Sequence, residues 1–224
     1  MVFTRTPRAV VFDMDGLLFD TEVLYFEALA LAAKEFAVEA PVELYAASIG
    51  TSSEATRARL TEHFGKEFDM DGLWKSASGH FRLMADTRLD LKPGVNEILD
   101  LLDLLRMPAA IATSSKPGNV THHLAAHGLE GRFDAIAASG SYARGKPYPD
   151  PFLKAAELLG ADPAHCVALE DSHTGVRSAS SAGMMTIMVP DLLAANEEMR
   201  GLCAHIAVDL HEVARLIEAA FKDT

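Results

Sequence analysis

The sequence predicts a doubly wound α/β protein: a parallel sheet with helices on both faces and an all-helical part inserted after the first strand. Three observations predict this fold. An apolar run over 9–12 ends in acidic residues and a glycine. From residue 91 onward, strand-like apolar runs alternate with helical segments. The stretch between them, 18–88, has helical periodicity and no good strand.

The first strand, 9–12, is apolar at every position, which is typical of a strand buried on both faces of a parallel sheet. A helix is expected over 21–37, with Thr21 as its N-terminal cap and an i, i+4 row through Leu24 and Ala28. The other helices expected in the inserted part are 42–48, 52–64 and 70–86.

Strands and helices are expected to alternate beyond residue 91. The expected strands are 109–112, 135–138, 167–169, 186–189 and 206–208. The expected helices are 94–105, 117–127, 150–160, 174–182 and 210–221. This pattern predicts an α/β core of residues 1–17 and 89–224 and a helical insertion of residues 18–88.

Composition predicts a soluble cytoplasmic enzyme. Apolar residues make up 49% of the 224 residues and charged residues 23%, which argues against a disordered chain. No run reaches the roughly 18 apolar residues of a membrane span, and the start lacks the apolar core of a signal peptide. The net charge of −12 argues against binding to nucleic acid or to an anionic membrane. Any phosphate site must therefore be built from local cations.

Acidic side chains follow two of the expected strands. Asp13 and Asp15 come directly after the first strand and before Gly16, so both carboxylates could reach one bound group. For this pair alone, a solvated turn is an equal alternative. Glu170 and Asp171 repeat the pattern after a later strand. Because paired acids at one sheet edge repel unless a cation lies among them, Mg²⁺ is the expected cofactor.

Hydroxyl-bearing and cationic side chains follow other strands. Thr113 and Ser114 could offer hydroxyl and backbone N–H groups to an anion at a helix start. Considered alone, the segment is explained better by ordinary N-capping by Ser115. Lys146 lies between a glycine and a proline, where a solvated lysine is the alternative. The segment ending in Lys146 fits a P-loop except for that proline, which supplies neither hydroxyl nor N–H, so a P-loop is disfavoured.

Taken in order, these sites resemble the four motifs of the haloacid dehalogenase-like hydrolase superfamily, and the likeness covers nearly the whole chain. The segment 12–18 is similar to its first motif, Thr113 to its second, Lys146 to its third, and Glu170-Asp171 to its fourth. The helical insertion is similar to the cap of the branch that includes β-phosphoglucomutase and small sugar-phosphate phosphatases. Each motif is weak alone, but the ordered set is specific.

The resemblance implies a Mg²⁺-dependent phosphatase for a small phosphomonoester, such as a sugar phosphate, phosphoglycolate or a nucleoside monophosphate. It implies that Asp13 is the nucleophile that forms an aspartyl-phosphate and that Asp15 is the general acid and base. The implied metal ligands are Asp13, the Asp15 carbonyl and Asp171, with Glu170 in support. The implied phosphate ligands are Thr113, Ser114 and Lys146.

A phosphosugar mutase is the closer alternative. Related mutases carry a histidine, a lysine and an arginine in the cap, and the register of this chain places Tyr25, Ile49 and Ser53 there. All three lack the groups that hold a second phosphate, so hydrolysis is favoured and these residues are expected to select the substrate. A non-catalytic phosphate-binding regulator is the alternative of another class, and the presence of both aspartates argues against it.

Two further groups of residues are expected to have structural roles. The histidines after Thr113 are expected on a solvated helix face rather than at a zinc site, since no third ligand is in reach. These histidines are His122, His123 and His127. Three large side chains of the cap fall at helical spacing and are expected in its apolar core. They are Trp74, Phe81 and Met84.

Overall fold

The structure is a computed structural model that describes residues 2–39, 42–46, 48–49 and 53–222. The strands in these residues are β1 (Ala9–Phe12), β2 (Ala109–Ala112), β3 (Ala135–Ala137), β4 (Cys166–Glu170), β5 (Met185–Met188) and β6 (His205–Ile206). They form one parallel sheet in the order β3-β2-β1-β4-β5-β6, which confirms the predicted fold class. The strand order reverses between β1 and β4, where a sheet of this kind opens a crevice for ligands.

Four helices lie between β1 and β2 in sequence, close to their predicted positions. They are α1 (Thr21–Glu35), α2 (Val42–Ala46), α3 (Ser53–Phe64) and α4 (Met70–Arg88). The predicted cap at Thr21 is wrong, because Asp20 holds the N-cap position, with no side-chain bond, and Thr21 is a fully buried helical residue. None of the described helices combines the length and the apolar character that a membrane span requires.

The remaining helices alternate with the strands as predicted. They are α5 (Val95–Leu105), α6 (Pro117–Ala126), α7 (Asp150–Leu159), α8 (His173–Ser181), α9 (Glu197–Leu202) and α10 (Leu210–Lys222). The sequence pattern did not predict α9 or the short 3₁₀ turn Pro163–His165. Each spans fewer than two turns, which is too short for a periodic pattern, and each starts from a capping side chain, Asn196 and Asp162.

The central strands β1, β2 and β4 each contribute to two apolar cores because alternate side chains point to opposite faces of the sheet. On one face, Phe12, Ile111 and Leu169 pack with α5, α6 and α10. On the other face, small residues such as Val11 and Ala168 pack with α7 and α8. The strands are therefore held on both sides, which fixes the positions of the residues that follow their carboxyl ends.

The inserted helices have an apolar cluster of their own and join the sheet through two adjacent connections. Leu29, Leu60 and Leu73 belong to this cluster, which is separate from the two cores of the sheet. Phe19 forms isolated β-bridges with two residues. One is Asp15, in the turn that follows β1, and the other is Leu91, in the segment that leads into α5. The outgoing and returning chains therefore lie side by side at the sheet edge where the acidic motif begins.

Candidate functional site

The carboxyl ends of β1, β2 and β4 bring the predicted site residues together. β1 pairs with β2 on one side and with β4 on the other. The N–H of Asp13 donates to the carbonyl of Leu169 at 2.9 Å, so Asp13 continues the ladder beyond β1. Asp13, Thr113 and Asp171 are all buried. A solvated turn is therefore the wrong interpretation of the first acidic motif.

Two glycines allow the acidic side chains to approach the backbone. Gly16 has a φ of +87°, and a Cβ there would lie 2.3 Å from Oδ2 of Asp171. Gly175 lies in the first turn of α8, and a Cβ there would lie 1.7 Å from Oε1 of Glu170. Both positions need glycine for this close approach, and Gly16 also needs it for its left-handed backbone conformation.

Lys146 supplies a buried positive charge to this acidic group. Its Nζ donates short hydrogen bonds to Oδ1 of Asp13 and Oε1 of Glu170, and its side chain is 2% exposed. Burial lowers the pKa of Lys146, but the carboxylates of Asp13 and Glu170 raise it above its ordinary value. The ammonium therefore stays protonated, and a solvated lysine is the wrong interpretation of this position.

Glu170 is held in place by the turn that follows β4. Its Oε2 accepts hydrogen bonds from the backbone N–H groups of Asp171 and Ser172, both at 3.1 Å, and from the Ser172 hydroxyl at 3.0 Å. Its Oε1 accepts from Lys146. With both oxygens engaged, Glu170 is fixed by the chain itself and in turn fixes the position of the lysine.

Three carboxylates lie close enough together to hold a metal ion. Asp13, Glu170 and Asp171 are all buried, and an oxygen atom of each lies within 4.8 Å of the others. Burial, followed by the nearby acids, raises the pKa of Asp171 well above its ordinary range. Its Oδ1 is buried without a hydrogen-bond partner in the described residues, an arrangement that is unfavourable for a carboxylate unless a cation or a proton satisfies it. An all-oxygen cluster of this kind fits a hard divalent cation.

Asp15 directs its carboxylate away from this cluster. Its Oδ2 accepts from the Ser115 hydroxyl at 2.7 Å and lies 3.4 Å from the Thr113 hydroxyl. N-capping by Ser115 is therefore wrong: α6 begins at Pro117, and Lys116 holds the cap position without a side-chain bond. Ser115 is a site residue that the sequence pattern assigned to capping.

Of the predicted catalytic and phosphate-binding residues, all but Thr113 line one cleft of about 130 Å³. Its core side carries Asp13, Asp15, Ser114 and Lys146. The Ser114 hydroxyl is buried and has no hydrogen-bond partner among the described residues. The Thr113 hydroxyl accepts from the N–H of Ser115 at 3.0 Å. These hydroxyls flank the acidic group from the side of β2.

Two of the three predicted substrate-selecting residues line the cap side of this cleft. Tyr25 stacks on Phe81, with ring centroids 3.8 Å apart, and Ile49 is 7% exposed. The carbonyl of Ile49 accepts a hydrogen bond from the Thr174 hydroxyl at 3.4 Å, so the cap touches α8 there. The side chain of Ser53 lies outside the described part of the structure.

Glu22 and Tyr45 also line the cleft, and the sequence did not point to them. The Tyr45 hydroxyl donates to Oε2 of Glu22 at 2.9 Å. Burial raises the pKa of Glu22 to about 8, the hydrogen bond from Tyr45 opposes this, and the charge of Asp15 adds to it. Glu22 lies in the first turn of α1, where an acidic residue is favourable in any helix. A glutamate at this position therefore does not by itself indicate a function.

The prediction that the three histidines lie on a solvated helix face is wrong for His123 and His127. His123 is 3% exposed, and His127 bonds to backbone carbonyls through both ring nitrogens; both rings pack against Phe19. His122 is exposed as expected and pairs with Asp86 at 3.0 Å. The large cap residues are mostly core as expected, but Trp74 also faces the cleft.

Known proteins are similar to this chain in sequence and in fold. A family model described as "Haloacid dehalogenase-like hydrolase" matches residues 10–189. Hexitol phosphatase B of Escherichia coli (strain K12) is 33% identical over 212 residues, covering 86% of this chain and 89% of that protein. The β-phosphoglucomutase of Bacillus subtilis (strain 168) is 30% identical over 189 residues, covering 81% and 83%. The structure of CbbY from Rhodobacter sphaeroides in complex with phosphate superposes with a TM-score of 0.80 at 27% identity, covering 92% and 96%.

The fold and the acidic edge of the sheet thus define an enzyme class shared with phosphatases. The chain belongs to the haloacid dehalogenase-like hydrolase family, as its ordered motifs predicted. The predicted hydrolase class is confirmed by relatives that are named phosphatases. Since a mutase is almost as similar as the hexitol phosphatase, overall identity does not separate the two reactions.

Proposed function

We propose that this protein is a Mg²⁺-dependent phosphatase that hydrolyses a small phosphomonoester through an aspartyl-phosphate on Asp13. The observation that carries the proposal is the buried Lys146 between Asp13 and Glu170, beside the partnerless Oδ1 of Asp171. That arrangement offers a nucleophile and a fixed cation in the cleft, and a metal-binding cluster that shares Asp13 with it. We also propose the division into a core of residues 1–17 and 89–224 and a cap of residues 18–88, and a cytoplasmic location.

Asp13 is the nucleophile in this proposal. One of its carboxylate oxygens is held by Lys146, and the other is available to form a bond to phosphorus while the bond from phosphorus to the leaving oxygen breaks. Mg²⁺ would be held by Asp13, Asp171 and the Asp15 carbonyl, with Glu170 in support. When bound it would supply the positive charge that lets an anionic carboxylate approach an anionic phosphate.

Asp15 is the general acid and base. The Ser115 hydroxyl orients it through Oδ2, and Oδ1 has no partner in the described residues, so that atom can hold a proton for transfer. Asp15 donates this proton to the leaving alkoxide and then accepts a proton from the water that hydrolyses the aspartyl-phosphate. Thr113, Ser114 and Lys146 hold the remaining phosphoryl oxygens as their charge shifts.

The test is phosphate release from p-nitrophenyl phosphate with Mg²⁺ and with EDTA. We expect turnover that requires Mg²⁺ and that Asp13→Asn removes, with circular dichroism unchanged. Asp100→Asn is the matched control, because that carboxylate is 72% exposed and pairs with Arg132 outside the cleft, so activity is retained. Activity of Asp13→Asn within tenfold of wild type would exclude Asp13 as the nucleophile.

A mutase is the second candidate because a β-phosphoglucomutase is among the similar proteins. A coupled glucose 6-phosphate assay with β-glucose 1-phosphate and a bisphosphate primer separates the two reactions. We expect phosphate release and no interconversion, since Tyr25 and Ile49 replace the groups that would hold a second phosphate. Isomerisation faster than hydrolysis would make the mutase the correct assignment.

A further inference from the structure

A second, larger cavity adjoins the catalytic cleft. Its volume is about 680 Å³, compared with about 130 Å³ for the cleft, and the two share wall residues that include Tyr25, Trp74 and Ser115. It lies between α1, α3, α4 and the first turns of α6. Its size falls within the ~300–1,000 Å³ of pockets that enclose small organic ligands. Because the cleft holds the acidic site, the cavity is where the organic part of a bound phosphomonoester would extend.

Aromatic rings and aliphatic chains form the inner walls of this cavity. Tyr25 and Phe81 stack at an interplanar angle of 4°, and Trp74 lies seven residues before Phe81, on the same face of α4. Leu29 and Leu60, both buried, complete the wall from α1 and α3. Polar side chains, among them Ser78, His122 and His123, also border the cavity. A flat aromatic group would bury its faces against the rings and reach such polar groups with its edge atoms.

The narrow cleft between the phosphate position and this cavity has the opposite character. Glu22 and Tyr45 face it as a hydrogen-bonded pair, with Oε2 of Glu22 accepting from the Tyr45 hydroxyl. Besides the oxygen that Tyr45 contacts, Glu22 has a second carboxyl oxygen, which can bind a ligand hydroxyl. Hydroxyls of a sugar are groups that an acidic side chain binds in nucleotide sites.

Exposed polar side chains border the cavity as well. Arg82 of α4 and Asn119 of α6 border it, and both side chains are exposed. An amide side chain offers both a donor and an acceptor, which suits the nitrogen and oxygen atoms at the edge of a heterocycle. The cleft and the cavity together therefore offer an acidic cluster, a pair of groups that can bind hydroxyls, aromatic walls and polar border residues.

We propose that the substrate is a nucleoside monophosphate or a close analogue: a sugar phosphate that carries a planar nitrogen heterocycle. The position of its phosphate rests on the proposed phosphatase function. The sugar hydroxyls bind Glu22 and Tyr45, the ring packs against Tyr25 and Trp74, and the ring edge faces Asn119.

Binding can be measured without catalysis because Trp74 is the single tryptophan of the chain. The probes are the four common ribonucleosides, titrated into the wild-type protein while tryptophan emission is recorded. Free N-acetyltryptophanamide corrects for absorption by the bases. We expect saturable quenching by at least one nucleoside and none by ribose at equal concentration. No saturable quenching by any of the four, or the same response to ribose, overturns the proposal.

The kinetic arm compares kcat/KM for nucleoside 5′-monophosphates with that for ribose 5-phosphate. We expect the best nucleotide to exceed ribose 5-phosphate by about 10- to 100-fold, the contribution of one stacked base. Trp74→Leu should reduce that ratio about tenfold, and Trp74→Phe should restore most of it. The matched control is Leu83→Ala, since Leu83 is 69% exposed on α4 and should leave the ratio unchanged.

The two proposals fail in different ways. Equal kcat/KM for ribose 5-phosphate and every nucleotide contradicts the ring site even if hydrolysis is fast. Saturable quenching without hydrolysis of any phosphomonoester, p-nitrophenyl phosphate included, supports the ring site and contradicts the phosphatase.

Discussion

Glu22→Gln should stabilise the protein, and the gain should grow with pH. Glu22 is buried in the cleft, and the charged groups that act on it are the acids Asp15, Asp13 and Asp191. Tyr45 is its hydrogen-bond donor. Glutamine has the same shape, is neutral at every pH, and keeps a carbonyl oxygen that accepts the Tyr45 hydrogen bond. The substitution therefore removes an ionisation and little else.

The size of the effect follows from the pKa of Glu22, which burial raises from an ordinary 4.5 to about 8. Between these values the folded protein keeps the proton while the unfolded chain releases it. The unfolded state then binds fewer protons, so the free energy of unfolding falls as pH rises. At about 1.36 kcal/mol per pH unit, ionisation of Glu22 lowers wild-type stability by roughly 3 kcal/mol at pH 7. The effect levels off above pH 8.

The assay is urea unfolding of wild type and Glu22→Gln in EDTA at pH 5, 6, 7 and 8. We expect a difference in unfolding free energy below about 1 kcal/mol at pH 5 and on the order of 3 kcal/mol at pH 7. The other buried acids are present in both proteins and cancel in this difference. Glu130→Gln, at an exposed position, is the control and should show no pH-dependent gain. A difference that stays constant from pH 5 to pH 8 would refute the reasoning.

Three further substitutions test the catalytic edge of the sheet. Asp15→Asn should slow hydrolysis about 10²- to 10⁴-fold, and by less for nitrophenol esters, whose leaving group needs no proton; an equal loss for all esters would contradict proton donation. Lys146→Ala should weaken inhibition by vanadate at least about tenfold, because phosphoryl charge is left unpaired in a buried site, whereas unchanged inhibition would exclude that role. Gly175→Ala should lower stability by about 2 kcal/mol and remove activity, because its Cβ would overlap Oε1 of Glu170. Gly79→Ala is its control: it lies within α4 with open space around it, so melting should show equal or higher stability.

The sequence was sufficient for the residues that follow the strands. Strand ends can be located from apolar runs, and parallel strands present all their carboxyl ends at one edge. Asp13, Thr113 and Glu170 could therefore be grouped before any contact was known. Lys146 could not be grouped by this argument, because it lies in a turn after β3 and reaches the site through a long side chain. Only the resemblance to a family assigned it.

The sequence was insufficient where two roles differ by one residue or by the direction of a side chain. Ser115 caps α6 if the helix begins at residue 116 and bonds Asp15 if it begins at Pro117, and helix ends are defined by pattern only to within a residue or two. His123 lies on an apparently polar stretch, but the cap covers that side of α6 and buries it against Phe81. A helix surface that a second part of the chain covers is not visible in the helix's own periodicity.

The walls of the larger cavity also indicate which of the two reactions, hydrolysis or phosphate transfer by a mutase, the site favours. A mutase must hold a bisphosphate by its distal phosphate while it keeps water from the aspartyl-phosphate. In this chain the space beyond the cleft is walled by Tyr25, Phe81 and Trp74, and a dianion buried among rings would be strongly destabilised. Arg82 and Lys116 border the cavity but are exposed, and ion pairs made in water contribute little. A bound bisphosphate would thus be held firmly at one end only, which favours release of the product and entry of water to the phosphorylated Asp13.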